Sequence, residues 1–270
     1  MSTKRNGAQP VYVVDAFVTK PFTGNPAAVC VMPGPASVKW MQLVAREMNL
    51  AETAFLHGGG GSYKLRWFTP TVEVPLCGHA TLATTQVLVE TGRLAVGQTV
   101  RFQTLSGTLE ARHDGGQIVL NFPALPTEVL KSPPRGLLKA VGAPAREVRR
   151  TKIDYLVELE SEEAVRQLRP DIPALARFGL RGAIVTARST GRPYHFVSRF
   201  FAPGAGIDED PVTGSAHCAL APFWAERLGR TEFKAYQASA RGGEMRVTLD
   251  GSRVHLAGRA VTMMRGELLH

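Results

Sequence analysis

Three acid–base side chains stand where a proton could be moved to or from carbon. Glu52 lies in Asn49-Leu50-Ala51-Glu52-Thr53-Ala54-Phe55-Leu56. Strand alternation puts it on one face with Leu50, Ala54 and Leu56. A carboxyl group among apolar neighbours loses hydration and its pKa rises toward neutrality, which suits a general base for an activated C–H. An edge-strand glutamate reaching water has the same local sequence. His79 directly follows Gly78 at an expected helix start. A helix N-terminus disfavours imidazolium, so a neutral histidine there could donate or relay a proton. A capping or a satisfied buried histidine is the plainer reading. Asp210 closes the triplet Asp208-Glu209-Asp210 before Pro211-Val212-Thr213-Gly214-Ser215. Three adjacent acids usually form a solvated turn, and Asp before Pro is a common turn starter. Yet Asp210 lies on the loop feeding a second helix, where a partner acid to Glu52 would belong. Asp208 and Glu209 are read as surface.

Around these lie residues that could hold an anion. Gly78 and Gly214 each open a helix, and small residues there let a ligand approach the backbone N–H groups, with the dipole favouring negative charge. Close helix packing explains them equally well. Ser215 either caps its helix or holds a ligand oxygen. Arg241 with Gly242 and Gly243 makes an anion-holding turn or a plain hairpin turn. Cys77 precedes Gly78, where a thiolate would be activated. Its counterpart before Gly214 is Thr213, and Cys218 lies inside the helix, so a two-thiol racemase arrangement is broken and Cys77 is read as structural. Three widely spaced cysteines, Cys30, Cys77 and Cys218, form no disulfide framework. No CxxC or HExxH occurs, and His195 and His217 lack a partner at metal-ligand spacing. No metal and no cofactor are therefore expected.

The elements that must carry these residues follow from periodicity and punctuation. Strands are expected at 11–17, 27–32, 50–56, 65–68, 100–103, 108–112, 118–122, 155–159, 183–186, 194–201, 244–249, 253–256 and 259–264. Helices are expected at 38–48 after a Ser37 cap, from Gly78 to about 90, and at 137–141, 162–169 and 215–228. The segment after Phe201 reads as a Pro/Gly loop.

The chain also repeats itself. Arg66-Trp67-Phe68-Thr69-Pro70 precedes Gly78-His79-Ala80 and a helix; Arg199-Phe200-Phe201-Ala202-Pro203 precedes Gly214-Ser215-Ala216 and a helix. The period of about 135 residues is half the chain, which means two related domains rather than a solenoid. Four prolines between Pro123 and Pro134 mark the boundary. The expected domains are 1–123, which a C-terminal strand at 259–270 is free to complete, and 124–258, with an active-site cleft between them.

Composition narrows the class. The 270 residues are 44% hydrophobic and 20% charged, globular proportions that exclude a disordered or collagen-like chain. No apolar run approaches the roughly 18 residues of a membrane span. The start MSTKRNGAQP reads as a frayed tail with no secretory signal, and the default compartment is the cytoplasm. The net charge is +9 and the pI about 9.8, which attracts anions in general. The basic residues are scattered, however, and the densest cluster (Arg146, Arg149, Arg150, Lys152) has no interleaved aromatics, so nucleic acid is not the expected partner.

Seven ordered motifs carry a resemblance: Val14-Asp15-Ala16-Phe17, Phe22 to Val29, Met48 to Phe55, Arg66 to Pro70, Cys77 to Ala83, Glu209 to His217 and Arg241-Gly242-Gly243. Together they resemble the PhzF-like phenazine-biosynthesis family, which is related in fold to diaminopimelate epimerase. The resemblance implies an α+β fold of two similar domains, each a curved mixed sheet around a central helix. It implies a homodimer and a metal- and cofactor-free isomerase acting by acid–base proton transfer on a small carboxylate, cyclic or amino. On that pattern Glu52 matches the catalytic carboxylate, and His79, Asp210 and Ser215 match the surrounding site. An epimerase or racemase using Glu52 and Asp210, and a non-catalytic binding protein that keeps the cleft, are the alternatives. The motifs say nothing of which substrate is used.

Overall fold

The computed structural model describes residues 8–191 and 193–269. Most of the tail expected at the start, residues 1–7, lies outside them, and Gln9 and Pro10 already belong to a strand. The described residues divide into two compact units, 8–16, 26–120 and 259–269 in one and 17–25 and 121–258 in the other. The Phe17–Asn25 segment, read from sequence as part of the first domain, thus falls in the second unit.

The first unit runs β1 (Gln9–Ala16), β2 (Asn25–Val31), α1 (Val38–Met48), β3 (Glu52–Gly59), β4 (Ser62–Phe68), β5 (Glu73–Val74), α2 (Gly78–Glu90), β6 (Thr99–Thr104), β7 (Gly107–Asp114) and β8 (Gln117–Pro123). The second runs β9 (Glu128–Val129), α3 (Leu137–Val141), β10 (Glu147–Arg150), β11 (Asp154–Glu158), α4 (Glu162–Gln167), α5 (Ile172–Leu175), β12 (Gly182–Arg188), β13 (Phe196–Ala202), β14 (Ile207–Asp210), α6 (Gly214–Leu228), β15 (Glu232–Gln237), β16 (Gly243–Asp250) and β17 (Arg253–Gly258). The chain then returns to the first unit as β18 (Ala260–Leu268), antiparallel to β1 from Ala16↔Ala260 to Gln9↔Leu268.

Helix α2 carries apolar and small residues all round, so no face of it can be left to water. It contacts β1, β3, β7 and β18, and its three buried threonines close their hydroxyls on the preceding turn: Thr81 to Cys77 O, Thr84 to Ala80 O and Thr85 to Thr81 O. That back-bonding satisfies each hydroxyl without a partner from a strand. Helix α6 is the second unit's equivalent, buried from Ala216 to Ala221 and again at Phe223 and Trp224. By contrast α1 is amphipathic. Ser37 caps it by accepting from Trp40 N, and Met41, Val44 and Ala45 pack on Ala28, Cys30, Phe55 and Phe68. A central buried helix with strands around it in each unit makes the fold α+β, as the resemblance implies.

The repeat is structural and chemical. In the first unit β2 pairs parallel with β3 and β3 antiparallel with β4, with Ala27 opposite Glu52 and Thr53 opposite Phe68. In the second, β11 pairs parallel with β12 and β12 antiparallel with β13, with Asp154 opposite Gly182 and Ala183 opposite Phe201. Arg66 forks onto Glu73 with two bonds of 2.7 Å and lies over the Phe68 ring. Arg199 forks onto Glu209 at 2.7 and 2.9 Å and lies over the Phe201 ring. Glu209, read from sequence as plain surface, is therefore a structural counter-ion. The segment after Phe201, expected as loop, holds a 3-10 turn at Pro203–Ala205 and the short strand β14, which presents Asp210 opposite Phe200.

Candidate active site

Glu52 is the first residue of β3, and His79 is the second residue of α2. The sequence separates them by a hairpin; the sheet brings His79 Nε2 to 3.2 Å from Glu52 Oε2, with side-chain exposures of 4% and 12%. The other ring nitrogen, Nδ1, lies 3.5 Å from Cys77 Sγ. The ring therefore lies between the Glu52 carboxylate on one side and the Cys77 thiol on the other. Burial pushes its pKa down to about 3. The imidazole is thus neutral at physiological pH and can pass a proton without itself carrying charge. The expected helix-end effect acts in the same direction, but burial dominates.

Cys77 was read as structural, and sequence did not anticipate its contact with His79. It occupies the N-cap position of α2 without capping through its side chain. Glu52, Cys77 and His79 bring one carboxylate oxygen, one sulfur and one ring nitrogen within 4.8 Å of one another. Those donor types suit zinc. An ion would take a single ring nitrogen, whereas the closest approaches of Glu52 and Cys77 are to different nitrogens of the ring. This geometry suits a relay better than a metal. The other two thiols are buried, and burial pushes both Cys30 and Cys218 up to about 12, which makes them unreactive.

In the second unit Asp210 is 6% exposed and closely held. Its carboxylate accepts from Asn25 Nδ2 at 2.7 Å and from the Thr213 hydroxyl, and Gln237 Nε2 donates to its backbone carbonyl at 2.7 Å. Burial raises its pKa to about 6; the bonds from Thr213 and Asn25 and the charge of Arg181 oppose that rise. A carboxyl group poised near neutrality is one that can exchange a proton at working pH. Sequence placed Asp210 on a turn and missed Asn25, Thr213 and Gln237. Their approach depends on strand pairing that no local pattern announces.

Thr213 holds the N-cap position of α6, as Cys77 does for α2, but its hydroxyl serves Asp210 instead of the helix. Ser215 does not cap that helix either. Its hydroxyl accepts from Arg181 Nη2 at 3.0 Å. His217 fixes the same turn, its Nδ1 lying 2.8 Å from Thr213 O, and burial lowers its pKa to about 4. Arg241 donates to Gly24 O at 2.8 Å and to Thr23 O at 3.4 Å, so its guanidinium ties down the 17–25 segment. Gly24 N adds a bond to Gly242 O. Gly243 packs so closely on that segment that a Cβ would lie 2.7 Å from Phe17 O.

The structure therefore brings Glu52 and His79 together in one unit; in the other, Asp210 and Ser215 each have their own hydrogen-bond partners, with the charge of Arg181 felt by Asp210, and Gly78 and Gly214 open the two helices. Among the described residues no helix is long and apolar enough to cross a membrane.

The chain is similar to known proteins along nearly its whole length. The family model described as "Phenazine biosynthesis-like protein" (PhzC-PhzF) matches residues 14–266. An uncharacterized isomerase of Halalkalibacterium halodurans is 49% identical over 96% of this chain and 98% of its own. The crystal structure of a PhzF-family phenazine biosynthesis protein of Enterococcus faecalis matches with a TM-score of 0.90 at 41% identity, covering 97% of this chain and 99% of that one. A probable proline racemase from Agrobacterium radiobacter, with bound carbonate, shares the fold alone: its TM-score is 0.65 at 13% identity, over 96% of this chain and 92% of that one.

Proposed function

Because the chain belongs to the phenazine biosynthesis-like PhzF family, we propose that it is an isomerase that moves a proton on a small carboxylated substrate, cyclic or amino, without a metal or organic cofactor. Glu52 takes the proton from carbon. His79, neutral and in reach of Glu52, holds the carboxylate in place and relays the proton. Asp210, with its raised proton affinity, is the partner acid. The observation that supports this most is the 3.2 Å approach of a neutral buried imidazole to the Glu52 carboxylate. A positioned base of this kind contributes roughly 10²–10⁴-fold; the remainder rests on orientation and fixed dipoles.

The register of the repeat bears on the epimerase alternative. The second unit's equivalent of Glu52 is Gly182, so no second glutamate stands at the matching place. A two-base epimerase would depend on Asp210 for its other face.

The test is Glu52→Gln, which keeps shape and removes the basic oxygen. Solvent deuterium should stop entering a substrate that the wild type turns over, while the melting temperature stays close to wild type. Exchange at the wild-type rate in a folded Glu52→Gln protein sinks the mechanism.

A further inference from the structure

The repeat pairs off the two sites residue by residue. His79 is the second residue of α2, and Ser215 is the second residue of α6. Each is met by a side chain from the start of the corresponding inner strand. In the first unit that side chain is Glu52. In the second, Gly182 occupies the Glu52 position, and the residue just before it, Arg181, reaches Ser215 instead. The charge at the matching place is inverted.

Gly182 cannot carry a side chain. A Cβ there would lie 2.0 Å from Phe201 O. The acid of this unit sits on the neighbouring strand as Asp154, which is fully buried and takes a forked pair of bonds from Arg181 Nε and Nη2, the first at 2.9 Å. The Arg181 guanidinium also lies 4.9 Å from the centre of the Phe200 ring. Anchored in this way, it keeps 27% of its side chain exposed, and its Nη1 donates to no protein atom among the described residues. Because the Ser215 oxygen accepts from a cation, its own O–H is left to donate outward, strengthened by the charge behind it. The remaining charged and polar groups at this place are Asp210, Glu209, Thr213 and Asn25. Arg181 draws the proton affinity of Asp210 down, whereas Glu209 pushes it up.

We propose that Arg181 is a positioning residue for the substrate's carboxylate: it directs and polarises the hydroxyl of Ser215, the residue read from sequence as holding a ligand oxygen. This rests on the isomerase reading only for the word substrate. Arg181, Asp154 and Ser215 all belong to the second unit, so anion binding needs nothing from the first.

Sodium acetate is the probe. Its binding to the full chain is followed by NMR through the Gly214 and Ser215 amide signals, in wild type, Arg181→Gln, Ser215→Ala and the double variant. Arg181→Gln should weaken acetate about tenfold. In the Ser215→Ala background the same change should add little, because the arginine has lost the hydroxyl through which it works. Removing Arg181 strands a buried carboxylate and endangers folding. The paired Asp154→Asn/Arg181→Gln variant removes both charges and should fold while still binding acetate about tenfold more weakly. Unchanged acetate affinity in that folded pair overturns the proposal, and so does a full, additive loss in the Ser215→Ala background. If acetate binding depends on Arg181 while Glu52→Gln leaves deuterium exchange intact, the subsite stands and the isomerase mechanism falls.

Discussion

Asn25 donates a 2.7 Å hydrogen bond to Asp210, 185 residues further along the chain. That bond and the one from Thr213 favour the ionised carboxylate, yet burial outweighs them and the pKa rises to about 6 from 3.8. Between those values the folded chain holds a proton that the unfolded chain has released. Ionised Asp210 therefore costs stability, absent below about pH 3.8 and complete above about pH 6, on the order of 3 kcal/mol at most. Asp210→Asn should melt higher than wild type at pH 8, with the gap closing by pH 4. A variant that melts lower at pH 8 contradicts this.

His79 and His217 act with the opposite sign. Burial lowers them to about 3 and about 4 from 6.5. As pH falls below 6.5 the unfolded chain takes up two protons that the folded chain refuses, so their contribution is intact above 6.5 and is lost progressively toward pH 3. Two histidines outweigh one aspartate. Urea unfolding should give a falling free energy from pH 7 to pH 5, and a steeper fall in Asp210→Asn, where the opposing group is gone. A flat profile in both proteins would show that these imidazoles titrate normally.

Gly182→Ala should be among the most damaging single-methyl changes in the chain. The added carbon meets the Phe201 carbonyl, a backbone atom fixed by strand pairing. Overpacking of this kind costs about 1–3 kcal/mol or more. Chemical denaturation beside Gly191→Ala, where nothing lies within 4 Å, supplies the control. Equal midpoints would be the contrary result.

The basic cluster of 146–152 should not bind nucleic acid. Arg149 forks onto Glu226 at 2.7 and 2.8 Å and lies over Phe223, Arg146 pairs with Glu160, and Arg150 faces Glu128. Charges already neutralised by carboxylates release few counterions. A filter-binding salt titration with duplex DNA should give a slope near zero, and a slope of several would refute it.

The parts of this site legible in the sequence are those with local signatures. The Ser37 cap, the breaks at Gly92 and Gly229, and the Phe-x-Pro repeat placed α1, α2, α6 and β13 closely. The resemblance pointed to Glu52 and His79. Arg181 was invisible, because in Leu180-Arg181-Gly182-Ala183 it is one arginine among many. Its meaning appears only when parallel pairing sets Asp154 beside Gly182. Thr213 was noted as the residue that breaks the thiol pairing with Cys77. Its hydroxyl on Asp210 shows that the position has taken another task. β14 was missed because Asp208-Glu209-Asp210 has neither apolar alternation nor β-branching; the bidentate pull of Arg199 on Glu209 accounts for it.

The antiparallel pairing of β1 with β18 has a consequence for synthesis. The first unit cannot close until residues 260–268 have left the ribosome, whereas everything the second unit needs, including Phe17–Asn25, has emerged once Gly258 has. The second unit is therefore free to fold first, while β1 and α2 wait with apolar surface uncovered. Chains released after truncation at residue 258 should be protease-resistant in the second unit and cut readily in the first, and the interval between the two is where a holdase chaperone would engage this chain.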